Sequence, residues 1–208
     1  MKKLILAVTI LLTLLIGCTS EDSNQVQADL PVDKGSVAAG KGNSVTMKGG
    51  TLALAGAGVV EVGKPLPEAM VSSHELKPIN LALGNKVRII SVVPSLDTPT
   101  CEAQTHELSE KNNGLDKDVE LVTVSMDLPF AQSRFAKEAK ISNVTFLSDY
   151  KSKEFGNNNG LLIEPLGLLT RAVIVTDKEN IVRYLQIVPE ITALPDMQSA
   201  MKAARKLL

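Results

Sequence analysis

From Val45 onward the chain reads as short apolar runs separated by turn residues, and the spacing predicts alternating strands and helices. Residues 45–47 and 52–54, joined by Lys48, Gly49 and Gly50, predict a hairpin. Shorter patches at 69–73 and 77–81 predict two further strands. Residues 86–93 form a near-continuous β-branched run, the mark of a strand buried on both faces of a sheet. A helix is predicted over 102–110, broken at Asn112, Asn113 and Gly114, and a second buried strand over 119–124. Strand, helix, strand implies a parallel, right-handed crossover. Residues 129–140 predict another helix with Pro129 in its first turn, 144–147 a short strand, and 151–155 a helical turn ending at Gly156. A second hairpin is predicted from 171–176 and 181–188 around a turn at 177–180. Residues 195–208 predict a closing helix whose last turns carry Lys202, Arg205 and Lys206, opposite the negative end of the dipole. The fold class is α/β, with a mixed sheet and helices on both faces.

The N-terminus has a different texture. Met1, Lys2 and Lys3 precede residues 4–16, which carry no charge, and then Gly17 and Cys18. A basic start, a short apolar run and a small residue form a secretion signal, and the apolar run is shorter than the roughly 20 residues a membrane span needs. Leu15, Ile16, Gly17 and Cys18 resemble the bacterial lipobox, which implies cleavage after residue 17 and lipidation of Cys18. Residues 18–44 then read as a lipidated N-terminus and flexible tether, rich in Ser, Asn, Gln, Gly and Ala, and 45–208 as a single domain. Gly35 to Lys41 matches the opening of a phosphate-binding loop. Gly42 stands where a magnesium-holding hydroxyl would be needed, so that reading is rejected.

A formal net charge of −1, with no block of like charges, argues against a nucleic-acid surface. His74 and His106 are far apart and read as surface or packing residues, and no ligand cluster points to a metal or another cofactor. The sequence has two cysteines. With Cys18 assigned to the anchor, Cys101 has no partner in its own chain. It follows a buried strand and falls in the first turn of a helix, where unpaired backbone N–H groups and the dipole favour a thiolate. A small buried hydrophobe is the bland alternative for such a cysteine.

A strand leading to a reactive cysteine, with a distal hairpin before a final helix, resembles the thioredoxin-like fold. Pro94, Thr98 and Cys101, at the spacing Pro-x-x-x-Thr-x-x-Cys, resemble the active-site signature of the peroxiredoxins. Residues 127–135, 167–175 and 190–196, together with the N-terminal hairpin, are similar to the thiol peroxidase branch of that family, so the likeness runs from Val45 to the C-terminus. The resemblance implies a thioredoxin-like mixed sheet and a Cys101 that attacks the O–O bond of hydrogen peroxide or organic hydroperoxides, becoming a sulfenic acid. It implies that Arg171 favours the thiolate and polarises the peroxide, and commonly a homodimer. Thr98 is suited to donate its hydroxyl toward the sulfur or the peroxide, and Pro94 to restrict the loop and shield the thiol. Asp97 is expected to cap the helix.

One position departs from the family. Typical members of the branch carry a resolving cysteine after the segment Ser133, Arg134 and Phe135, and here that position is Ala136. The expectation is a one-cysteine enzyme whose sulfenic acid waits for an external thiol, either a small molecule or a thioredoxin-like protein. With the anchor, this implies an exported bacterial lipoprotein facing the periplasm or the cell exterior, within reach of lipid hydroperoxides. Two other readings remain open. A thiol-disulfide oxidoreductase would need Cys-x-x-Cys, and Gln104 occupies the second position. The other reading is a fold that serves as a catalytically silent binding module, and the thiol's acidity discriminates it from the enzyme.

Overall fold

A computed structural model describes residues 30–208. The signal segment 1–17 and the lipidation site Cys18 lie outside the described residues. The strands, in chain order, are β1 Val32–Asp33, β2 Ser44–Met47, β3 Gly50–Ala55, β4 Met70–Ser72, β5 Pro78–Asn80, β6 Arg88–Val92 and β7 Glu120–Ser125. They continue as β8 Thr145–Ser148, β9 Leu162–Ile163, β10 Leu168–Leu169, β11 Ala172–Thr176, β12 Val182–Ile187 and β13 Leu194–Pro195. The helices are α1 Pro99–Glu110, α2 Pro129–Glu138, α3 Glu154–Asn159 and α4 Met197–Arg205.

A seven-stranded sheet in the order β12-β11-β6-β7-β8-β4-β5 forms the centre. β6, β7 and β8 run parallel, and the outer strands pair antiparallel. Alternation along the central strands feeds two cores. Ile89, Leu121, Val173 and Val175 turn to the face covered by Leu108 of α1 and Met197, Ala200 and Met201 of α4. Ile90, Val92, Val122, Val124 and Ile174 turn to the other face, under Phe155 of α3 and Val45, Leu54 and Ile163 of a second sheet. Every residue of β6 is buried, which is why its sequence reads as a run and not as an alternation.

The mixed α/β fold with helices on both faces is as the sequence predicts, and three details differ. The N-terminal hairpin does not stand alone, because β9 and β10 extend it to a four-stranded sheet in the order β10-β9-β3-β2. Two-residue strands carry too little pattern to read from sequence. Next, α3 runs through the Gly156–Asn159 stretch that reads as its end. The Asp149 carboxylate accepts from the backbone N–H groups of Phe155 (3.0 Å) and Gly156 (2.8 Å), and left-handed Gly160 (φ +66°) terminates the helix. Burial pushes the Asp149 carboxyl up to about 6, even though these two N–H groups favour its charge.

The last difference concerns the tether. Its described part, residues 30–44, packs on the domain. β1 pairs parallel with β13, the Gln186 amide donates to the carbonyls of Asp33 and Gly35, and the Val37 N–H donates to Ile187 O (3.0 Å). Composition reads this stretch as linker, but backbone pairing asks only for free N–H and C=O groups along an open edge. Gly40 is part of the same junction: its N–H donates to Gly160 O at 2.9 Å, and a Cβ on Gly160 would lie 2.6 Å from Gly40 N. Gly40 thus serves close backbone packing, consistent with rejecting a phosphate loop.

Candidate active site

Cys101 is the third residue of α1, behind Thr98 at the N-cap and Pro99 at the first helical position. Pro99 suits that place because its missing N–H is one the helix would not use. The thiol is fully buried, in an apolar cluster with Val93 and Leu96 that Phe135 and Phe146 close from the side. The two rings meet edge to face at 6.0 Å between centroids. Just outside, Leu96, Asp97, Thr98, Pro99, Glu102 and Phe135 line an open groove of about 390 Å³.

Arg171, also buried, reaches the sulfur from the residue before β11, across 70 positions of sequence. Its Nη2 donates to Cys101 Sγ at 3.3 Å, its Nη1 to Gln104 Oε1 at 2.7 Å and its Nε to the Ile191 carbonyl at 2.7 Å. The described residues place no carboxylate in an ion pair with it. A buried guanidinium held by two neutral oxygens and one sulfur lacks a counter-charge unless the sulfur supplies it. Three of the five guanidinium N–H groups are used, so two remain for an oxygen arriving at the thiolate.

Gln104 is the residue that sequence reasoning passed over, noting it only as not cysteine. Three residues after Cys101, it lies on the same face of α1 and is fully buried. Its amide nitrogen donates to Ser91 Oγ (2.7 Å), which fixes its flip and turns Oε1 to Arg171. Gln104→Leu leaves one guanidinium N–H without an acceptor and frees the arginine to rotate. We expect peroxide reactivity to fall about tenfold and stability to fall by roughly 1–3 kcal/mol, read by the second-order rate constant and a denaturant titration.

A second omitted residue is Asp127. It accepts from Ser95 Oγ, the Leu96 N–H and Ser125 Oγ, each at 2.7 Å, and so ties the loop before Cys101 to the turn that starts α2. Pro94 is buried in that loop. Thr98 is exposed, and its hydroxyl donates to Ser95 O (3.2 Å) instead of the sulfur. Its extended backbone (φ −141°, ψ 143°) sets the side chain back along the loop. Asp97 does not cap the helix: the N-cap is Thr98, and no side chain accepts from the first-turn N–H groups. Among the described residues no His, Cys, Asp and Glu group could hold a metal ion, and no helix is long and apolar enough to cross a membrane. His74 is exposed beside Glu75, and His106 Nδ1 meets Glu110 on the surface of α1.

The redoxin family model matches residues 61–203. The chain belongs to the redoxin family. Within it, the chain is 39% identical over 165 residues to a thiol peroxidase of Clostridium acetobutylicum, spanning 79% of this chain and 95% of that protein. It is 43% identical over 166 residues to a thiol peroxidase of Halalkalibacterium halodurans, spanning 79% and 99%. A solved peroxiredoxin-like protein from Aquifex aeolicus superposes with a TM-score of 0.73 at 38% identity, covering 81% of this chain and 99% of that one. In this redoxin Cys101 stands in the first turn of α1 with the Arg171 guanidinium beside it. Ala136, where the resemblance implies a second cysteine, sits half-buried on α2. Cys101 is the one free cysteine among the described residues.

Proposed function

We propose that this redoxin is a one-cysteine thiol peroxidase whose reactive group is Cys101 and whose reductant is an external thiol. Thiol-dependent peroxidase activity follows from its kinship with the thiol peroxidases. The observation that carries the assignment to Cys101 is the buried Arg171, which donates to Sγ and has neutral oxygens as its other partners. The thiolate attacks the terminal peroxide oxygen, an S–O bond forms as the O–O bond breaks, and sulfur is oxidised by two electrons to sulfenic acid. The leaving oxygen takes a proton from water in the groove and departs as alcohol or water. The free N–H groups of Arg171 and of the first turn of α1 stabilise the charge moving onto oxygen. The Thr98 hydroxyl at the groove's rim can exchange its Ser95 acceptor for the incoming peroxide.

Ala136 cannot close a disulfide, so an external thiolate attacks the sulfenic sulfur, releases water and forms a mixed disulfide that a second thiol reduces. Full turnover requires a thiol-bearing partner, a thioredoxin-like protein or a small thiol. The test is peroxide loss by the purified protein with and without added thiol. Without thiol, consumption stops at about one peroxide per chain; sustained turnover without any thiol overturns the one-cysteine cycle.

The basic start, the apolar run and the Gly17-Cys18 junction support an exported lipoprotein anchored through Cys18, facing the periplasm or exterior. An anchor would hold the site near the bilayer, which favours lipid hydroperoxides as substrates beside hydrogen peroxide. A strong preference for hydrogen peroxide over a fatty-acid hydroperoxide counts against that substrate. Leu128 and Phe130, 51% and 66% exposed at the start of α2, support a homodimer of the kind the family resemblance implies.

A further inference from the structure

We propose that Glu190 is a positioning residue for the Cys101–Arg171 pair, and that through it the N-terminal hairpin forms part of the catalytic apparatus. Glu190 lies in the loop between β12 and β13, away from the thiol, and its carboxylate gathers five donors. Thr46 Oγ1 (2.8 Å), the Lys48 N–H (3.0 Å) and the Gly49 N–H (3.2 Å) come from the hairpin. The Thr192 N–H (3.2 Å) and Thr192 Oγ1 (2.6 Å) come from its own loop. Lys48 and Gly49 both have positive φ (51° and 80°), the two-residue turn in which successive N–H groups converge on an anion. One carboxylate therefore clasps the hairpin tip and the loop together. Backbone bonds complete the clasp: the Thr46 N–H donates to Pro189 O and the Ile191 N–H to Thr46 O.

The loop held in this way touches the active site at two points. The carbonyl of Ile191, next to Glu190, accepts from Arg171 Nε at 2.7 Å. The carbonyl of Thr192 accepts from Thr100 Oγ1 at 3.4 Å, and Thr100 precedes Cys101. A shift of a few tenths of an ångström in residues 190–192 therefore moves the guanidinium and the start of α1 together. Burial alone would raise the Glu190 carboxyl, but the hydrogen bonds from Thr192, the Lys48 N–H, Thr46 and the Gly49 N–H outweigh it and hold the group at about 2. The clasp is thus fully charged wherever a thiolate chemistry would operate. Gln104 holds Arg171 from the helix side and Glu190 holds it, at one remove, from the loop side.

This role rests on the peroxidase reading for its kinetics but not for its effect on the thiolate, so the two can fail separately. Glu190→Ala and Glu190→Gln are compared with wild type in the full chain by the ultraviolet absorbance of the Cys101 thiolate at neutral pH and by the rate constant with peroxide. Glu190→Ala should lower the thiolate signal several-fold and the rate constant about tenfold, with much of the rate recovered at alkaline pH. Glu190→Gln, which keeps an acceptor oxygen, should lose less. Thr46→Val, which removes one donor from the clasp and leaves the loop's own bonds, should move both readouts the same way by a smaller factor. It also serves if Glu190→Ala does not fold. Lowered melting temperatures with unchanged thiolate signal and rate would mean that the carboxylate only stabilises the fold, and would overturn the role. A wild-type protein that has the thiolate but consumes no peroxide would sink the peroxidase reading while leaving the clasp standing.

Discussion

Cys101→Ser should abolish peroxide consumption while leaving the fold in place, at some cost in stability because a neutral hydroxyl supplies no counter-charge to buried Arg171. The hydroxyl occupies nearly the volume of the thiol in the same buried cluster, and Arg171 Nη2 can donate to it as it donates to sulfur. What disappears is the nucleophile: a serine hydroxyl does not ionise near neutral pH and has no base beside it. The expected loss is to background in a peroxide-disappearance assay with thiol present, with an unchanged circular dichroism spectrum. Retained turnover would remove the assignment of Cys101 and revive the reading of the chain as a silent thioredoxin-fold binding module. A thiol-disulfide oxidoreductase fares worse from the outset, since Gln104 fills the second position of the required pair and is committed to Arg171.

Arg171→Lys should lower the rate constant with peroxide by about a hundredfold, although it keeps the charge. The three acceptors around the guanidinium, Sγ, Gln104 Oε1 and Ile191 O, diverge, and a planar fork meets them at once where a single ammonium cannot. Any acceptor left over is buried and unpaired, costing roughly 1–3 kcal/mol, so a fall in melting temperature should accompany the kinetic loss. Arg171→Met should be slower still, because it also removes the positive charge beside the sulfur. If Arg171→Lys kept wild-type kinetics, the guanidinium would be needed only for charge, and Gln104 and Glu190 would have no positioning to perform.

Much of this arrangement is legible in the sequence, for reasons that differ from residue to residue. β6, β7 and β11 read clearly because strands buried on both faces have few polar positions to obscure them. Cys101 at a helix start is readable from the order of strand and helix. Its pairing with Arg171, 70 positions away, is not, and came only from the family resemblance. Gln104 was within reach: the i, i+3 spacing puts it beside Cys101, but a glutamine carries no chemistry of its own and draws attention only once its partner is known. Glu190 stood inside a motif similar to the thiol peroxidases without a role, because its five donors come from two regions more than 140 residues apart in sequence. The direction of the Thr98 hydroxyl depends on one backbone conformation that no pattern encodes. Residues 30–44 read as tether because composition reports what side chains can bury, whereas this stretch is held through backbone groups and glycine contacts.

The proposed dependence on an external thiol rests on two positions, a buried Cys101 next to Arg171 and an alanine at 136. Intact-mass spectrometry of the purified protein after a brief stoichiometric peroxide treatment, without thiol, tests it most directly. A mass gain of one oxygen atom per chain, captured by a sulfenic-acid trap and absent in Cys101→Ser, is the predicted result. A loss of two hydrogens, the signature of an intrachain disulfide, would contradict it.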